Sequence, residues 1–520
     1  MKKLLFVILF HLAVNGQSES FINYSAFETN EIYAAFTNDG RLWYQSPYPW
    51  GGSGSIFWPK ENESTIVFQH GLWLTGYQNE SLIGVTPFWD ANYTPGPMID
   101  GQAAIIASPE DSALYRGYII TSESGPGDLD YDEWPSHWGA PAHEDGTPML
   151  LGDVTMWHVY NDAHPDVHGW IENNSESNAN THLEVRETVW GYNESSFLAD
   201  VLFFKWQIFN KGDDSLDSMV ITHWNDIDLW MALSNMPAYD LEMDFGYMYY
   251  DLDSIPADAP MTASYFLLQG PLVLAPSDAF VGYSFGEQKI GYYNLGTSAF
   301  WGISDDSNPP QNFGGSPVTL EHVYNFSTGL RHDGSPIVNP VSGDETSFTF
   351  TGDPITGGGW QGVSTGGGMA GYMVSTGKFN LAAGDSQEVI FALTASSGDS
   401  LAHGISNLKE KIGLIRNYYN QNFASISETK HLPESFIIHP NFPNPFNPTT
   451  TLSFELNRDS FLDISIYNLT GQLIDVLDQA LYHSGYHEIS WNAKDYASGM
   501  YIYKISTENA SRMGKCILLK

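Results

Sequence analysis

The sequence predicts a mainly β protein, with a multi-domain body of β-sandwich type, one amphipathic helix and a smaller C-terminal β-sandwich. Turn residues are frequent throughout, with 49 glycines and 28 prolines in 520 residues. Short runs of β-branched and aromatic residues lie between them, as at residues 118–121, 200–209 and 388–394. Short strands separated by turn signals are typical of sandwiches and barrels.

One segment, residues 399–423, has a helical period instead. Its apolar residues recur at alternating steps of four and three, which places them on one face of a helix. Either Asp399 or Ser400 can cap the N-terminus. The residues of this face are Leu401, Ile405, Leu408, Ile412, Ile415 and Tyr419.

The N-terminus predicts export. Residues 1–18 are typical of a signal peptide, because Lys2 and Lys3 precede an apolar run that is followed by small and polar residues. This run is shorter than the roughly 20 residues that a membrane-spanning helix needs, and no later segment reaches that length. We therefore expect an exported protein without a transmembrane segment. Cys516 is the single cysteine, so stability must come from packed cores and bound ions.

The charge of the chain excludes two classes of partner. Acidic residues number 61 and basic residues 21, which gives a net charge of −40. Binding to nucleic acid depends on Lys and Arg neutralising phosphates, so we expect no nucleic-acid partner and no anionic membrane. Hydrophobic residues make up 42% of the chain, which excludes a disordered protein.

The C-terminal region is more regular than the body. A polar linker is predicted at residues 424–434, between a β-rich body at 19–423 and a C-terminal domain at 435–520. The net charge is −3 from residue 431 onward and −37 before it. Strands are predicted at residues 450–456, 462–467, 473–477, 487–491, 499–505 and 515–519. This pattern indicates an immunoglobulin-like sandwich.

Four segments of this domain resemble the C-terminal sorting domain of type IX secretion cargo. They read NFPNPFNPTT at 441–450, IYNLTGQL at 466–473, SGMYIY at 498–503 and KCILLK at 515–520. The resemblance implies binding to the type IX secretion machinery, export across the outer membrane, and release or attachment at the cell surface. The residues that match the motifs are Asn441, Pro443, Asn444, Pro445, Phe446, Asn447, Pro448, Gly471, Gly499, Tyr501, Lys515 and Lys520.

The body resembles large uncharacterised exoproteins that carry the same sorting domain. The segments that match include FETNEI at 27–32, IVFQHGLWL at 66–74 and WNDID at 224–228. This resemblance indicates a family of proteins but implies no particular activity. We expect two or more subdomains in the body.

Two acidic groups are candidate sites for structural Ca²⁺, which binds clustered carboxylate oxygens. The first is Asp128, Asp130 and Asp132, which begins like a calcium loop but has Glu133 and Gly139 where that loop needs Gly and Glu. The second is Asp226, Asp228 and Asp244, which follow an apolar strand, with further carboxylates at 240 and 242. A solvated acidic loop is the alternative for the first group. Zinc ligands at His158, His164 and His168 have weaker support, because their spacing matches no zinc motif.

These observations favour a secreted or cell-surface protein whose body has a binding or structural, adhesin-like role, with a glycan or another cell-surface partner. The alternative is an extracellular polysaccharide hydrolase, because such an enzyme needs only two carboxylates across a cleft. Tryptophans in the N-terminal third either stack on sugars or pack in the core. They are Trp43, Trp50, Trp58, Trp73, Trp89, Trp134, Trp138 and Trp157.

Overall fold

A computed structural model of the chain shows two compact units, residues 1–426 and 427–520. The signal peptide and the linker predicted at 424–434 lie outside the described residues and stay predictions, as does the number of subdomains in the body. The structure describes residues 23–42, 54–60, 65–87, 93–104, 113–163, 181–194, 196–229, 235–250, 261–276, 280–303, 319–362, 371–423, 436–456, 460–468, 473–483, 485–506 and 511–520.

The body is mostly antiparallel β-structure, which confirms the predicted class. Its strands are β1 (Tyr24–Glu28), β2 (Tyr33–Thr37), β3 (Ile56–Phe57), β4 (Thr65–Val67), β5 (Gln69–Gln78), β6 (Ser81–Val85), β7 (Thr94–Pro95), β8 (Met98–Ile99), β9 (Gln102–Ala103), β10 (Tyr118–Thr121), β11 (Val154–Asn161), β12 (Leu183–Gly191), β13 (Val201–Asn210), β14 (Leu216–Asp226), β15 (Asn235–Asp240), β16 (Phe245–Tyr250), β17 (Thr262–Gln269), β18 (Leu272–Leu274), β19 (Val281–Ser284), β20 (Glu287–Ile290), β21 (Tyr292–Asn294), β22 (Thr297–Ile303), β23 (Ile337–Val338), β24 (Glu345–Thr346), β25 (Gly371–Thr376), β26 (Phe379–Leu381) and β27 (Ser386–Ser396).

Two sheets form the centre of the body. The larger has nine strands in the order β10-β11-β12-β13-β27-β17-β16-β15, with β7 paired to β11. The smaller has six in the order β22-β25-β14-β5-β6, with β26 paired to β14. A four-stranded sheet, β1 to β4, adds to the same core, and the pairs β8-β9, β18-β21, β19-β20 and β23-β24 form two-stranded sheets.

The two large sheets enclose one apolar core. Alternate residues of β13 face opposite sides, because side chains alternate along a strand. Leu202, Phe204 and Trp206 belong to the core shared with the six-stranded sheet. Val201 and Phe203 belong to a second apolar cluster on the outer face of the nine-stranded sheet. The central strands therefore bury both faces.

A long helix covers that outer face. We name it α3, Leu401–Asn422, and it confirms the helix that the sequence predicts. Ser400 is its N-cap, and the Ser400 side chain accepts a hydrogen bond from the backbone N–H of His403. The buried residues of the helix include five of the six on the predicted face, namely Ile405, Leu408, Ile412, Ile415 and Tyr419.

Two shorter helices, which the sequence analysis missed, also belong to the body. Helix α1 is a single turn, Leu129–Asp132. Helix α2, Leu320–Ser327, buries Val323 and Phe326 in a cluster with Trp301 on the outer face of the six-stranded sheet. Two short 3₁₀ helices span Ser136–Trp138 and Phe197–Asp200.

The C-terminal unit is an immunoglobulin-like sandwich, as predicted. One sheet has the order β28-β29-β32 and the other β31-β30-β33-β34, and they enclose a core of their own. Six of the seven strands match the predicted ones, and β28 was missed. The strands are β28 (Phe436–Phe442), β29 (Thr449–Leu456), β30 (Ser460–Asn468), β31 (Leu473–Tyr482), β32 (Gly485–Asn492), β33 (Gly499–Ser506) and β34 (Ser511–Leu518).

Candidate functional site

The first and last motifs of the C-terminal unit lie side by side. Residues 443–448 connect β28 to β29 and run along β34, which is an edge strand of its sheet. The backbone N–H of Phe446 donates to the carbonyl of Ile517 at 2.8 Å, and the N–H of Leu519 donates to the carbonyl of Phe446 at 3.0 Å. Two motifs at opposite ends of the domain sequence therefore form one surface.

The Asn444 side chain completes this contact. Its Oδ1 accepts a hydrogen bond from the N–H of Ile517 at 2.8 Å, and its Nδ2 donates to the carbonyl of Lys515 at 3.2 Å. An amide that pairs with the N–H and C=O of a strand replaces the pairing that a neighbouring strand would give. Asn444 thus closes part of the outer edge of β34.

Three other motif residues support the loop from inside. Asn441 Nδ2 donates to Thr450 Oγ1 at 2.8 Å. The buried Phe446 packs against Trp491, with ring centroids 5.4 Å apart. Tyr501 packs on the other side of the same indole at 5.2 Å, and its hydroxyl donates to the carbonyl of Ala497 at 2.8 Å. These side chains hold the framework and are not available to a partner.

The remaining motif residues lie at the surface or in the backbone pairing. Pro448 is half-buried, and Gly499 pairs with Leu518 across β33 and β34. The N–H of Lys520 donates to Ser498 Oγ at 3.0 Å. Gly471 lies outside the described residues. The exposed motif residues are Pro443, Asn444, Pro445, Asn447, Gly499, Lys515 and Lys520.

The first predicted calcium group lies in helix α1, with Asp128 at its N-cap. Asp130 is half-buried and pairs with Arg116, with 2.8 Å between Arg116 Nη2 and Asp130 Oδ1. Asp128 accepts the N–H of Gly125 at 2.8 Å, and Asp132 accepts that of Gly127 at 3.0 Å. Each carboxylate therefore has a protein partner of its own.

The second predicted group divides into two parts. Asp226 is the last residue of β14, and Asp228 follows it two residues later, close enough for the two carboxylates to interact electrostatically. Asp244 lies beside α3 instead, where its Oδ1 accepts the Tyr239 hydroxyl at 2.5 Å and its carbonyl accepts Arg416 Nη2 at 2.8 Å. The structure therefore brings together only two of the three predicted ligands.

Asp226 and Asp228 are an unusual pair. Asp226 is 4% exposed, and the Oδ1 atom of each carboxylate is buried without a hydrogen-bond partner. Burial raises the pKa of Asp226 well above its usual value, and the charge of Asp228 raises it further. Burial also raises the pKa of Asp228 to about 6. The pair therefore retains protons at pH values where exposed carboxylates are ionised.

Within the described ranges, no group of three or more His, Cys, Asp or Glu side chains is placed to hold a metal ion. The calcium sites stay a prediction. Of the predicted zinc ligands, His158 is buried beside Glu187, while His164 and His168 lie outside the described residues.

The tryptophans predicted as sugar platforms are mostly core residues. Trp58, Trp73, Trp134 and Trp157 are buried, and Trp138 is half-buried. Trp43, Trp50 and Trp89 lie outside the described residues. The packing role of large aromatics therefore accounts for most of this set.

A buried polar network, which the sequence analysis missed, crosses the body core. His158 Nε2 lies 2.9 Å from Glu187 Oε2, and the Tyr160 hydroxyl donates to the same oxygen at 3.1 Å. Burial raises the pKa of Glu187, but His158, His70 and the indole N–H of Trp206 together lower the pKa below its usual value. On the facing sheet, burial lowers the pKa of His70 to about 4.

This network is structural. Glu187, His158 and His70 are each at most 1% exposed, so they lie inside the sandwich and not in a cleft. The sequence did contain a signal for this network. Polar residues occur at inward-facing positions of apolar strands, and such residues need buried hydrogen-bond partners. The strand register that pairs His158 with Glu187 was not readable from the sequence.

Comparison with known families identifies the C-terminal unit. Residues 441–519 match the family model described as the secretion system C-terminal sorting domain. This match confirms the resemblance stated from the motifs. A search of curated proteins finds no match to the chain.

Solved structures show only weak similarity. A polysaccharide lyase has a TM-score of 0.23 and 8% identity over 65% of this chain and 34% of its own. The adhesin domain of Epf from Streptococcus pyogenes has a TM-score of 0.13 and 8% identity over 62% and 81%. PorZ, a surface component of the type IX secretion system of Porphyromonas gingivalis, has a TM-score of 0.13 and 12% identity over 98% and 61%. The chain spans about a third of the lyase, and none of these scores assigns a function.

We expect the Asp226–Asp228 pair to make stability fall as pH rises. The folded state binds more protons than the unfolded state from about pH 4 up to the raised pKa values, so the free energy of unfolding decreases through that range. At about 1.4 kcal/mol per pKa unit, the raised pKa of Asp228 alone costs on the order of 3 kcal/mol at pH 8. Asp226→Asn should flatten this dependence and raise stability at pH 8, measured by denaturant unfolding from pH 4 to 8.

The exposed Asp217, on the same strand, provides the control. Asp217→Asn should leave the pH dependence unchanged. Calcium at pH 8 should raise the melting temperature of the wild type and not of Asp226→Asn if the pair binds this ion. An unchanged pH slope in Asp226→Asn would contradict the account of the pair.

Asn444→Ala should open the edge of β34. The two lost hydrogen bonds contribute about 1 kcal/mol each. Hydrogen exchange of the full chain should show faster exchange in the peptide that covers residues 511–520. Asn492→Ala, which removes only a local bond to the N–H of Lys494, is the control. Equal protection of this peptide in Asn444→Ala and wild type would show that the amide does not close the edge.

Proposed function

We propose that this chain, which ends in a secretion system C-terminal sorting domain at residues 441–519, acts at the cell surface after type IX export, with a body that binds or supports a surface partner. The sorting domain is the observation that carries the proposal. No helix among the described residues is long and apolar enough to cross a membrane.

We propose that the secretion machinery binds the surface formed by the first and last motifs of the sorting domain. Its buried residues keep the loop 443–448 against β34, so the exposed ones are held in fixed positions. Phe442 is 80% exposed and Leu519 is 55% exposed, and both flank this loop. Lys515 and Lys520 add positive charge beside them. An apolar surface with adjacent cations fits a protein partner with acidic residues at its rim.

The strongly acidic body fits a display role. A net charge of −37 before residue 431 keeps copies of the body apart and soluble. It also disfavours anionic polymers as ligands, so neutral glycans or protein surfaces are the partners that we propose. The described core is continuous through both large sheets, as a rigid support requires.

A second candidate function, a polysaccharide hydrolase, is favoured by one observation. Sugar hydrolysis by a carboxylate pair needs one carboxyl that keeps its proton near neutral pH and a second carboxylate nearby. Asp226 and Asp228 have raised pKa values and unpartnered oxygens at a strand end. Asp228 is the more exposed of the two and would meet the substrate first.

Export is tested by deleting residues 431–520. The truncated body should accumulate in the periplasm, because it lacks the sorting domain, while the full chain reaches the surface or the medium. Immunoblots of periplasmic and extracellular fractions measure this. The control is the full chain with Asn492→Ala, which alters the C-terminal domain without removing it. Normal export of the truncated body would contradict the proposal that the C-terminal domain directs export.

The body is tested with residues 19–430 on neutral glycans, with and without Ca²⁺. Binding without product release would support the display role. Release of sugar products that is lost in both Asp226→Asn and Asp228→Asn would establish the hydrolase instead. Asp240→Asn is the matched control, since Asp240 pairs with Lys409 at 2.7 Å and lies away from the pair.

A further inference from the structure

Two histidines outside the sites described above are held together beside helix α2. His322 lies in the first turn of this helix, whose N-cap Thr319 accepts the backbone N–H of His322 at 3.3 Å. The helix is anchored by Phe326, whose ring packs on Trp301 with centroids 4.8 Å apart. The backbone of His322 is therefore fixed on the outer face of the six-stranded sheet.

The second histidine, His332, lies in a tight turn that is bonded to the same helix. The N–H of Arg331 donates to the carbonyl of Ser335 at 2.8 Å, which closes the turn. Asn325, one helical turn after His322, donates from Nδ2 to the carbonyl of His332 at 2.9 Å. The turn and the helix therefore hold the two imidazoles at a fixed separation.

The rings are close and nearly perpendicular. Their centroids lie 5.5 Å apart with an interplanar angle of 86°. The Nδ1 atom of each ring is buried and has no hydrogen-bond partner. Both side chains are otherwise half-buried, so solvent reaches the remaining part of each residue.

The two Nδ1 atoms are both buried without a hydrogen-bond partner, so their tautomers can be inferred. A neutral imidazole has one N–H and one lone pair. Because neither Nδ1 has an acceptor, the favourable tautomer keeps the proton on the other nitrogen and leaves a lone pair at each Nδ1. Burial lowers the pKa of His322, and the neighbouring His332 lowers it further. A metal ion can accept lone pairs from two imidazoles whose centroids are 5.5 Å apart.

We propose that Nδ1 of His322 and Nδ1 of His332 bind one divalent cation of the zinc, copper or nickel class. Imidazole nitrogen is a preferred ligand of these ions, whereas Ca²⁺ and Mg²⁺ prefer oxygen. Water would fill the other coordination positions, because the described residues supply two ligands. The strongly negative body raises the local concentration of cations. This site is separate from the Asp226–Asp228 pair and independent of the proposed export and binding roles.

Copper titration of the full chain tests the proposal. Protein stripped with a chelator is titrated with Cu²⁺ at pH 7.5 and followed by electron paramagnetic resonance and calorimetry. We expect one ion at this site with a signal from two nitrogens. His322→Ala and His332→Ala should each weaken binding at least tenfold and leave a single nitrogen. Zn²⁺ should compete for the site, and Ca²⁺ should not.

His143→Ala, at an exposed histidine elsewhere in the body, is the matched control and should bind as the wild type does. Melting in chelator shows whether each variant is folded, and His322→Gln and His332→Gln replace any alanine variant that is not. Binding that survives both substitutions would overturn the proposal. An equal loss in the His143 control would also overturn it, because that result describes non-specific binding.

Discussion

The nine-stranded sheet of the body has apolar side chains on both faces, and the arrangement of the body follows from the need to cover both. On β13, Phe204 faces the six-stranded sheet, while Phe203 faces α3. An uncovered face would leave several large side chains in water, at about 1.5–3 kcal/mol for each. Helix α3 follows directly after β27, the neighbour of β13 in the sheet, so it covers the centre of the outer face of the nine-stranded sheet. The six-stranded sheet covers the other face and is covered in turn by α2.

Much of this arrangement could be predicted, because part of it is local in sequence. Helix α3 was predicted within two residues at its start, since a 3.6-residue period and a serine cap are properties of a single segment. The strands of the sorting domain were predicted for the same reason. Strand β28 was missed because it runs into a proline-rich motif, and prolines argue against a strand. Helix α2 was missed because its eight residues make only about two turns, which is too short a segment to show a helical period clearly.

The candidate sites could be predicted only in part. The spacing of Asp226 and Asp228 places them on one side of an extended chain, but nothing in the sequence shows that they are buried without partners. Asp244 was grouped with them by proximity in sequence, and the fold directs it to Arg416 instead. The contact between His322 and His332 depends on a turn closed by backbone hydrogen bonds. Such contacts depend on strand register and on turn geometry. Neither can be deduced from the composition of the sequence or from the spacing of its apolar residues.

The Asn444 contact has a consequence for how the exported protein behaves in a crowded compartment. A free edge strand is a template on which another chain can add its own strand, and repeated addition leads to aggregates. Asn444 and Phe446 occupy hydrogen-bonding groups of β34 that such an addition would use. The signal that marks the protein for export therefore also protects its last strand from strand exchange between cargo molecules. A chain awaiting transport can accumulate to high concentration and still present its C-terminus as a separate, folded tag.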